Sequence, residues 1–163
     1  MNPSRPAPIY RPVRSLTARV HALWGWTDTL LDALQPLASL LARLYVAQVF
    51  FASGLTKLRD WGTTVALFTD EYAVPLLPPE LAAVLGTAGE LVLPVLLVLG
   101  LGGRFAALGL GVVNGVAAIS LPELAPAALQ QHITWGVLLA ALAVFGCGRW
   151  AADVPLRAWL SRR

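Results

Sequence analysis

Long apolar runs alternate with short polar stretches along most of this chain. Four of the runs are close to the roughly 20 residues that a helix needs to cross a hydrocarbon core. They cover residues 37–55, 81–101, 105–121 and 127–146. The pattern predicts an all-α integral membrane protein, with a four-helix membrane domain over residues 37–148.

The segments around the first run indicate two further elements. Over residues 21–35 the apolar residues recur at helical spacing, whereas Asp28 and Asp32 lie on another face. An amphipathic helix at the membrane interface is therefore predicted, ending where Pro36 turns the chain into the membrane. The stretch 59–80 is too apolar for a free loop, so we expect an external loop that is helical or packed on the bundle and partly embedded in the membrane.

Both ends of the chain are rich in arginine. Residues 1–20 combine four prolines and four arginines with no acid, which predicts a disordered basic tail, and residues 149–163 form a second basic tail. Nine arginines lie on the side of the two termini, against Lys57 and Arg59 on the other side. Because cytoplasmic segments retain basic residues, both termini are predicted to be cytoplasmic.

Composition narrows the class of protein. The chain is 57% hydrophobic and only 13% charged, which leaves too little charged surface for a soluble bundle. Its net charge of +3 is spread over two tails and one loop, a distribution that indicates lipid headgroups rather than nucleic acid as the partner. The strong preference for arginine over lysine is typical of high-GC coding, and favours a bacterial inner membrane.

Polar residues inside the spans are the candidate site. Arg43 and Glu90 are charged, and counting the helical rise from opposite membrane faces brings them within reach of each other, so an ion pair is predicted. This pair either fixes the helix neighbours or forms part of a ligand or proton site. Gln48 lies on another face of its helix and needs a separate partner, and Asn114 and His132 favour interhelical hydrogen bonds.

Metal and thiol chemistry have little support in the sequence. His132 and the only other histidine, His21, belong to opposite sides of the membrane, so no metal site is predicted. Cys147 is the single cysteine, which excludes a disulfide within the chain. No catalytic triad, phosphate-binding glycine loop or carboxylate pair is recognisable, and the chain is not expected to be an enzyme on its own.

The strings FFASGLTKLRDW and GELVLPVLLVLGLGGRFAALGL, together with the four-span layout, resemble the DoxX family of small bacterial membrane proteins. In that family the first span carries an arginine and a Gly-x-x-Lys pattern, and the second carries a glutamate, a Gly-Leu pair and an arginine. The matching positions here are Arg43, Gly54, Lys57, Glu90, Gly100 and Arg104. Two further strings, LFTDEYAVPLLPPELAA and HITWGVLLA, are similar to the DoxX subgroup encoded beside DUF692-type peptide-modifying proteins.

The resemblance implies a role beside other proteins. Members of the family have been linked to a thiosulfate:quinone oxidoreductase subunit, to tethering of redox-stress proteins and to metal-stress operons. The leading hypothesis is an inner-membrane component that supports a protein partner, or a second copy of itself, in a redox or metal-stress response. One alternative is a quinone-linked oxidoreductase subunit with Arg43, Glu90 and His132 around the quinone; another is a small-molecule or metal-ion transporter. No other cofactor is predicted.

Overall fold

The computed structural model describes residues 16–72 and 74–162, which form six α-helices and no strand. The helices are α1 (Leu16–Arg59), α2 (Trp61–Asp70), α3 (Pro79–Leu99), α4 (Gly103–Ser120), α5 (Pro126–Phe145) and α6 (Asp153–Leu160). Four segments are long and apolar enough to cross a membrane, namely Leu23–Arg59 within α1, together with α3, α4 and α5. The predicted membrane bundle is therefore confirmed, and the ends of α3, α4 and α5 lie within two residues of the predicted ones.

The first helix is longer than predicted. Residues 21–35 are helical as expected, but Pro36 lies inside α1 and does not end it, so the predicted break is wrong. Proline removes the hydrogen bond to the carbonyl of Asp32 and crowds that carbonyl, but the leucine and alanine residues around it favour the helix. The interfacial position of this segment stays a prediction.

The described chain divides into two compact units, one that ends at Leu34 and one that begins at Gln35. In the first unit the described apolar side chains, such as Trp24 and Trp26, are exposed. The predicted disordered tail lies outside the described residues up to position 15, and its last five residues form the start of α1. The second unit contains the bundle.

Glycine and proline set the helix ends within the bundle. Pro79 and Pro126 occupy first helical positions, where their missing N–H has no partner to lose. Gly100 ends α3 in the left-handed conformation, with φ of 68°, and Gly102 has φ of 57° just before α4. The end of the bundle that carries this α3–α4 turn is termed the turn end, and the opposite end, where α1 meets α2, is termed the α2 end.

The bundle core draws on α1, α3, α4 and α5. Val46, Phe50, Leu97, Leu110 and Leu139 are buried and form one cluster. Phe50 contacts Trp135 of α5 edge to face, at 5.9 Å between ring centroids. The outward surfaces of these helices carry many exposed leucines and valines, as lipid contact requires.

A single residue, Asp60, joins α1 to α2 in a corner that is closely hydrogen-bonded. Its carboxylate accepts hydrogen bonds from the N–H and the hydroxyl of Thr63, at 3.0 and 2.6 Å, and so caps α2. The buried hydroxyl of Thr64 lies 2.8 Å from the carbonyl of Lys57 and 3.0 Å from that of Asp60. Since α2 also packs on α3, the expected helical structure in the 59–80 stretch is confirmed.

The segment predicted as a basic C-terminal tail folds back onto the turn end. The N–H groups of Ala152 and Asp153 donate to the carbonyls of Leu99 and Gly100, at 3.1 Å each. The carboxylate of Asp153 accepts hydrogen bonds from the backbone N–H groups of Gly102 and Gly103, at 2.9 and 3.3 Å. It thereby caps the start of α4 from a distant part of the chain, and α6 begins at this residue.

Candidate functional site

An ion pair links α1 to α3 near the α2 end. Lys57 Nζ lies 2.6 Å from Glu90 Oε2, and the side chains are 18% and 9% exposed. Ser53, one turn earlier on α1, accepts a hydrogen bond from Lys57 at 2.9 Å and donates one to Glu90 Oε1 at 3.3 Å. Pro94, one turn after Glu90, has no N–H to offer the backbone carbonyl of Glu90. A strongly polar patch therefore lies inside an otherwise apolar bundle.

The predicted ion pair between Arg43 and Glu90 is wrong, because Glu90 pairs with Lys57. The reason lies at Gly54, where an added Cβ would come within 3.1 Å of Glu90 Cβ and 2.9 Å of Leu91. This close approach places α3 against the last turns of α1, so the nearest cation is three residues beyond Gly54. Arg43 precedes Lys57 by about four helical turns on α1 and is out of reach of Glu90.

A cavity of about 280 Å³ lies beside the ion pair, between α2, α3 and α4. Lys57 and Glu90 line it together with mainly apolar residues, among them Phe68, Val113 and Ala117. Leu85 and Val112 belong to its lining and are themselves 51% and 67% exposed on the outer faces of α3 and α4. The cavity is thus apolar, has a charged patch in its wall, and opens between two membrane helices.

Two hydroxyl groups extend this polar wall. Tyr72 follows α2, and its ring packs against that of Phe68 in a tilted arrangement, with 4.9 Å between the ring centroids. Burial, followed by the negative charges of Glu90 and Glu71, raises the pKa of the Tyr72 phenol, so the O–H stays protonated at neutral pH. Ser120, at the end of α4, also lines the cavity, and its hydroxyl is buried with no hydrogen-bond partner among the described residues.

Arg43 lies at the turn end and is completely buried. Its Nη1 donates to the carbonyl of Val98 at 3.2 Å, close to the C-terminus of α3, where the helix dipole favours a cation. Gly100 approaches the same nitrogen so closely that an added Cβ would lie 3.1 Å from it. The two family-motif positions Arg43 and Gly100 are therefore brought together, away from Glu90.

Asn114 and His132 form the predicted interhelical hydrogen bonds, and they do so with each other. Asn114 Nδ2 donates to the carbonyl of His132 at 2.9 Å, and Asn114 Oδ1 lies 2.9 Å from His132 Nδ1. The imidazole also contacts the Trp135 ring edge to face, at 5.1 Å between centroids. This arrangement joins α4 to α5, and His132 does not line the cavity beside the Lys57–Glu90 pair.

The remaining sequence-predicted residues lie apart from the cavity. Gln48 is exposed and lines a groove of about 550 Å³ between α1 and α3, where Phe51 and Val95 are neighbours. Arg104 is exposed at the turn end beside Gly146. Within the described part of the chain, no three histidine, cysteine or acidic residues lie close enough to hold a metal ion.

Sequence reasoning missed four polar residues of these sites. The contact of Ser53 with Lys57 could have been predicted, since Ser53 precedes Lys57 by four residues and lies on the same helical face. Tyr72, Ser120 and Asp153 follow or flank helix ends, where periodicity carries no information on the direction of a side chain.

Comparison with known protein families gives one match. The model of the DoxX family matches residues 38–123, a range that includes the ion pair and ends before α5. The searches of curated proteins and of solved structures gave no match. Since the matched range covers more than half of the 163 residues, this chain belongs to the DoxX family.

Proposed function

We propose that this chain is an inner-membrane component that supports a partner protein in a redox or metal-stress pathway and holds a quinone-class ligand for that partner. One observation carries the proposal, namely the apolar cavity whose wall contains the Lys57–Glu90 pair. Ligand sites typically combine apolar walls with a few polar groups that orient the ligand. The matched family residues include both members of the pair.

The cavity suits the chemistry of a quinone. The head group of a quinone is a flat ring with two carbonyl oxygens that accept hydrogen bonds, and its tail is hydrocarbon. The Lys57 ammonium, the Tyr72 phenol and the Ser120 hydroxyl are the donors available in or beside the wall. The exposed sides of Leu85 and Val112 at the opening would let the tail extend into lipid. Arg43 and His132, which the sequence suggested for this site, have no part in it.

Polar groups at the cavity wall would also supply protons to the quinone. Reduction of a quinone adds two electrons and two protons, and the hydrocarbon core supplies neither. In this proposal the electrons come from the partner protein. The Lys57 ammonium and the Tyr72 hydroxyl would donate hydrogen bonds to the quinone oxygens, and the carboxylate of Glu90, 2.6 Å from Lys57, would relay protons to the bound quinone.

A cavity-filling variant tests the proposal. Ala117→Phe should fill the cavity and abolish binding of a photoreactive ubiquinone analogue to the purified full-length chain. Ile119→Phe is the matched control, because Ile119 is 69% exposed on the same helix and does not line the cavity. Equal labelling of both variants and the original protein, at equal amounts of folded protein, would refute the ligand site.

The partner and the location need separate experiments. We propose a bacterial inner membrane with both termini in the cytoplasm, which the distribution of arginines supports. Reporter fusions after Arg163 and within the 59–80 stretch test the topology, and the fusion after Arg163 should be active only as a cytoplasmic reporter.

Affinity purification in mild detergent should recover a redox or metal-stress protein, with the DUF692-type proteins suggested by the subgroup resemblance as the first candidates. Recovery of this chain alone, or only with copies of itself, would contradict the proposed role in support of a partner protein.

A further inference from the structure

The guanidinium of Arg43 has one edge without a partner. The side chain is 0% exposed, and its single hydrogen bond to a described residue runs from Nη1 to the carbonyl of Val98. Nε and Nη2 are both buried and make no hydrogen bond to any described residue. These two nitrogens direct their N–H bonds along the same side of the planar group, the edge with which arginine binds an oxyanion through two parallel hydrogen bonds.

A second buried donor lies on the same face of α1. Ser39 precedes Arg43 by four residues, one helical turn, and its hydroxyl is buried and also without a partner in the described chain. Gly148 closes over this face, since a Cβ added there would lie 3.5 Å from Ser39 Oγ. Buried polar groups are nearly always hydrogen-bonded, so three unpaired donors in one place indicate that a ligand completes the site.

The described part of the chain does not provide the missing negative charge. The carboxylate of Glu90 is paired with Lys57, and that of Asp153 is bound to the N–H groups at the start of α4. Cys147 is also buried. Its burial raises the pKa of the thiol; the charge of Arg43 opposes this shift, and the charge of Asp153 adds to it. The thiol therefore stays neutral, and Arg43 is a buried cation without a paired anion.

We infer that Arg43 and Ser39 form a binding site for an oxyanion at the turn end of the bundle. The anion would accept two hydrogen bonds from the free edge of Arg43 and one from the Ser39 hydroxyl. Phosphate chemistry fits this donor set, and it is available both as free phosphate and as the headgroup of an anionic phospholipid. The site is separate from the Lys57–Glu90 cavity and does not depend on the proposed function.

Thermal unfolding of the full-length chain tests the site. The protein is purified in neutral detergent and melted with increasing phosphate, and with chloride at the same ionic strength. Phosphate should raise the melting temperature by a few degrees in a saturable manner, because it binds the folded state, whereas chloride should not. Equal effects of the two salts, or no effect of either, would overturn the site unless an anionic phospholipid stabilises the protein.

A lipid comparison identifies the source of the anion. The chain is reconstituted in vesicles of phosphatidylcholine alone or with phosphatidylglycerol, and unfolding is measured again. Protection by phosphatidylglycerol without an effect of phosphate assigns the site to a headgroup, and protection by phosphate assigns it to a free anion. Protection by neither overturns the proposal.

Two variants tie the effect to the named residues. Arg43→Lys keeps the charge but lacks the two-donor edge. Whichever ligand stabilises the protein, phosphate or phosphatidylglycerol, the concentration that gives half of the maximal stabilisation should rise at least about tenfold. Ser39→Ala removes one hydrogen bond, should raise this concentration severalfold, and decides the matter if Arg43→Lys does not fold. Arg104→Lys, at an exposed arginine of the same end, is the control and should leave it unchanged. An unaltered titration in a folded Arg43→Lys or Ser39→Ala protein would refute the assignment.

Discussion

Replacing Lys57 and Glu90 singly and together should show a large coupling between them. Their side chains are only 18% and 9% exposed, and they lie 2.6 Å apart. Removing one partner of a buried pair leaves a charge without compensation and destabilises by about 3 to 5 kcal/mol. The double replacement strands no charge, so its loss should be clearly smaller than the sum of the single losses.

The two single losses should also differ. Lys57 lies in the last turn of α1, so without Glu90 its long side chain can extend toward the end of the bundle and regain water. Glu90 lies near the middle of α3, and without Lys57 it keeps only the Ser53 hydroxyl. We therefore expect Lys57→Gln to destabilise more than Glu90→Gln, which should fall near the lower limit of about 3 kcal/mol.

Reversible unfolding in mixed micelles, followed by circular dichroism, gives the four free energies of unfolding that this cycle needs. Arg59→Gln serves as the control at an exposed base in the same helical turn, and its loss should lie within about 0.5 kcal/mol of zero. A coupling free energy below about 0.5 kcal/mol between Lys57 and Glu90 would refute the pairing. Coupling between Arg43 and Glu90 instead would restore the pairing suggested by sequence.

Three further outcomes follow from the turn end. Gly100→Ala should destabilise by about 1 kcal/mol more than Gly102→Ala in the same unfolding assay. Both residues have positive φ, but only at Gly100 would the added Cβ lie 2.6 Å from Ala151, so equal losses would contradict this packing. Asp153→Asn should lower the free energy of unfolding by about 1 kcal/mol through the weakened cap of α4, and no change would argue against the cap. Cys147 should react slowly with a maleimide at pH 7 and faster as the pH rises, because burial raises the pKa of the thiol; labelling as fast as in the SDS-unfolded chain would disprove its burial.

The membrane spans were predictable because their signals are local. Length and apolar content determine a span, and residues such as Pro79, Gly100 and Pro126 mark the ends through their own backbone preferences. The hydrogen bonds of Asn114 were predictable in kind, because a polar side chain in lipid needs a partner. The identity of that partner, His132, was not.

The pairing of Glu90 depends on information that is not local. It requires the axial register of α1 against α3 as well as their rotation, and the close contact at Gly54 determines both. The axial count assumed that both spans start at the membrane faces, and it therefore placed Arg43 rather than Lys57 near the height of Glu90. The continuity of α1 through Pro36 was also not predicted. A proline makes a break in a helix more favourable, but the surrounding residues determine whether the helix breaks.

The corner at Asp60 has a consequence for how fast a ligand exchanges with the cavity. Thr64 is bonded to the carbonyl of Lys57 in the last turn of α1 and to that of Asp60, and only one residue separates the two helices, so α2 has no flexible hinge by which to move away. A ligand would then enter sideways, past Leu85 and Val112, by diffusion within the bilayer. Its association rate should follow the mole fraction of ligand in the lipid, and remain insensitive to the volume of water around the vesicles.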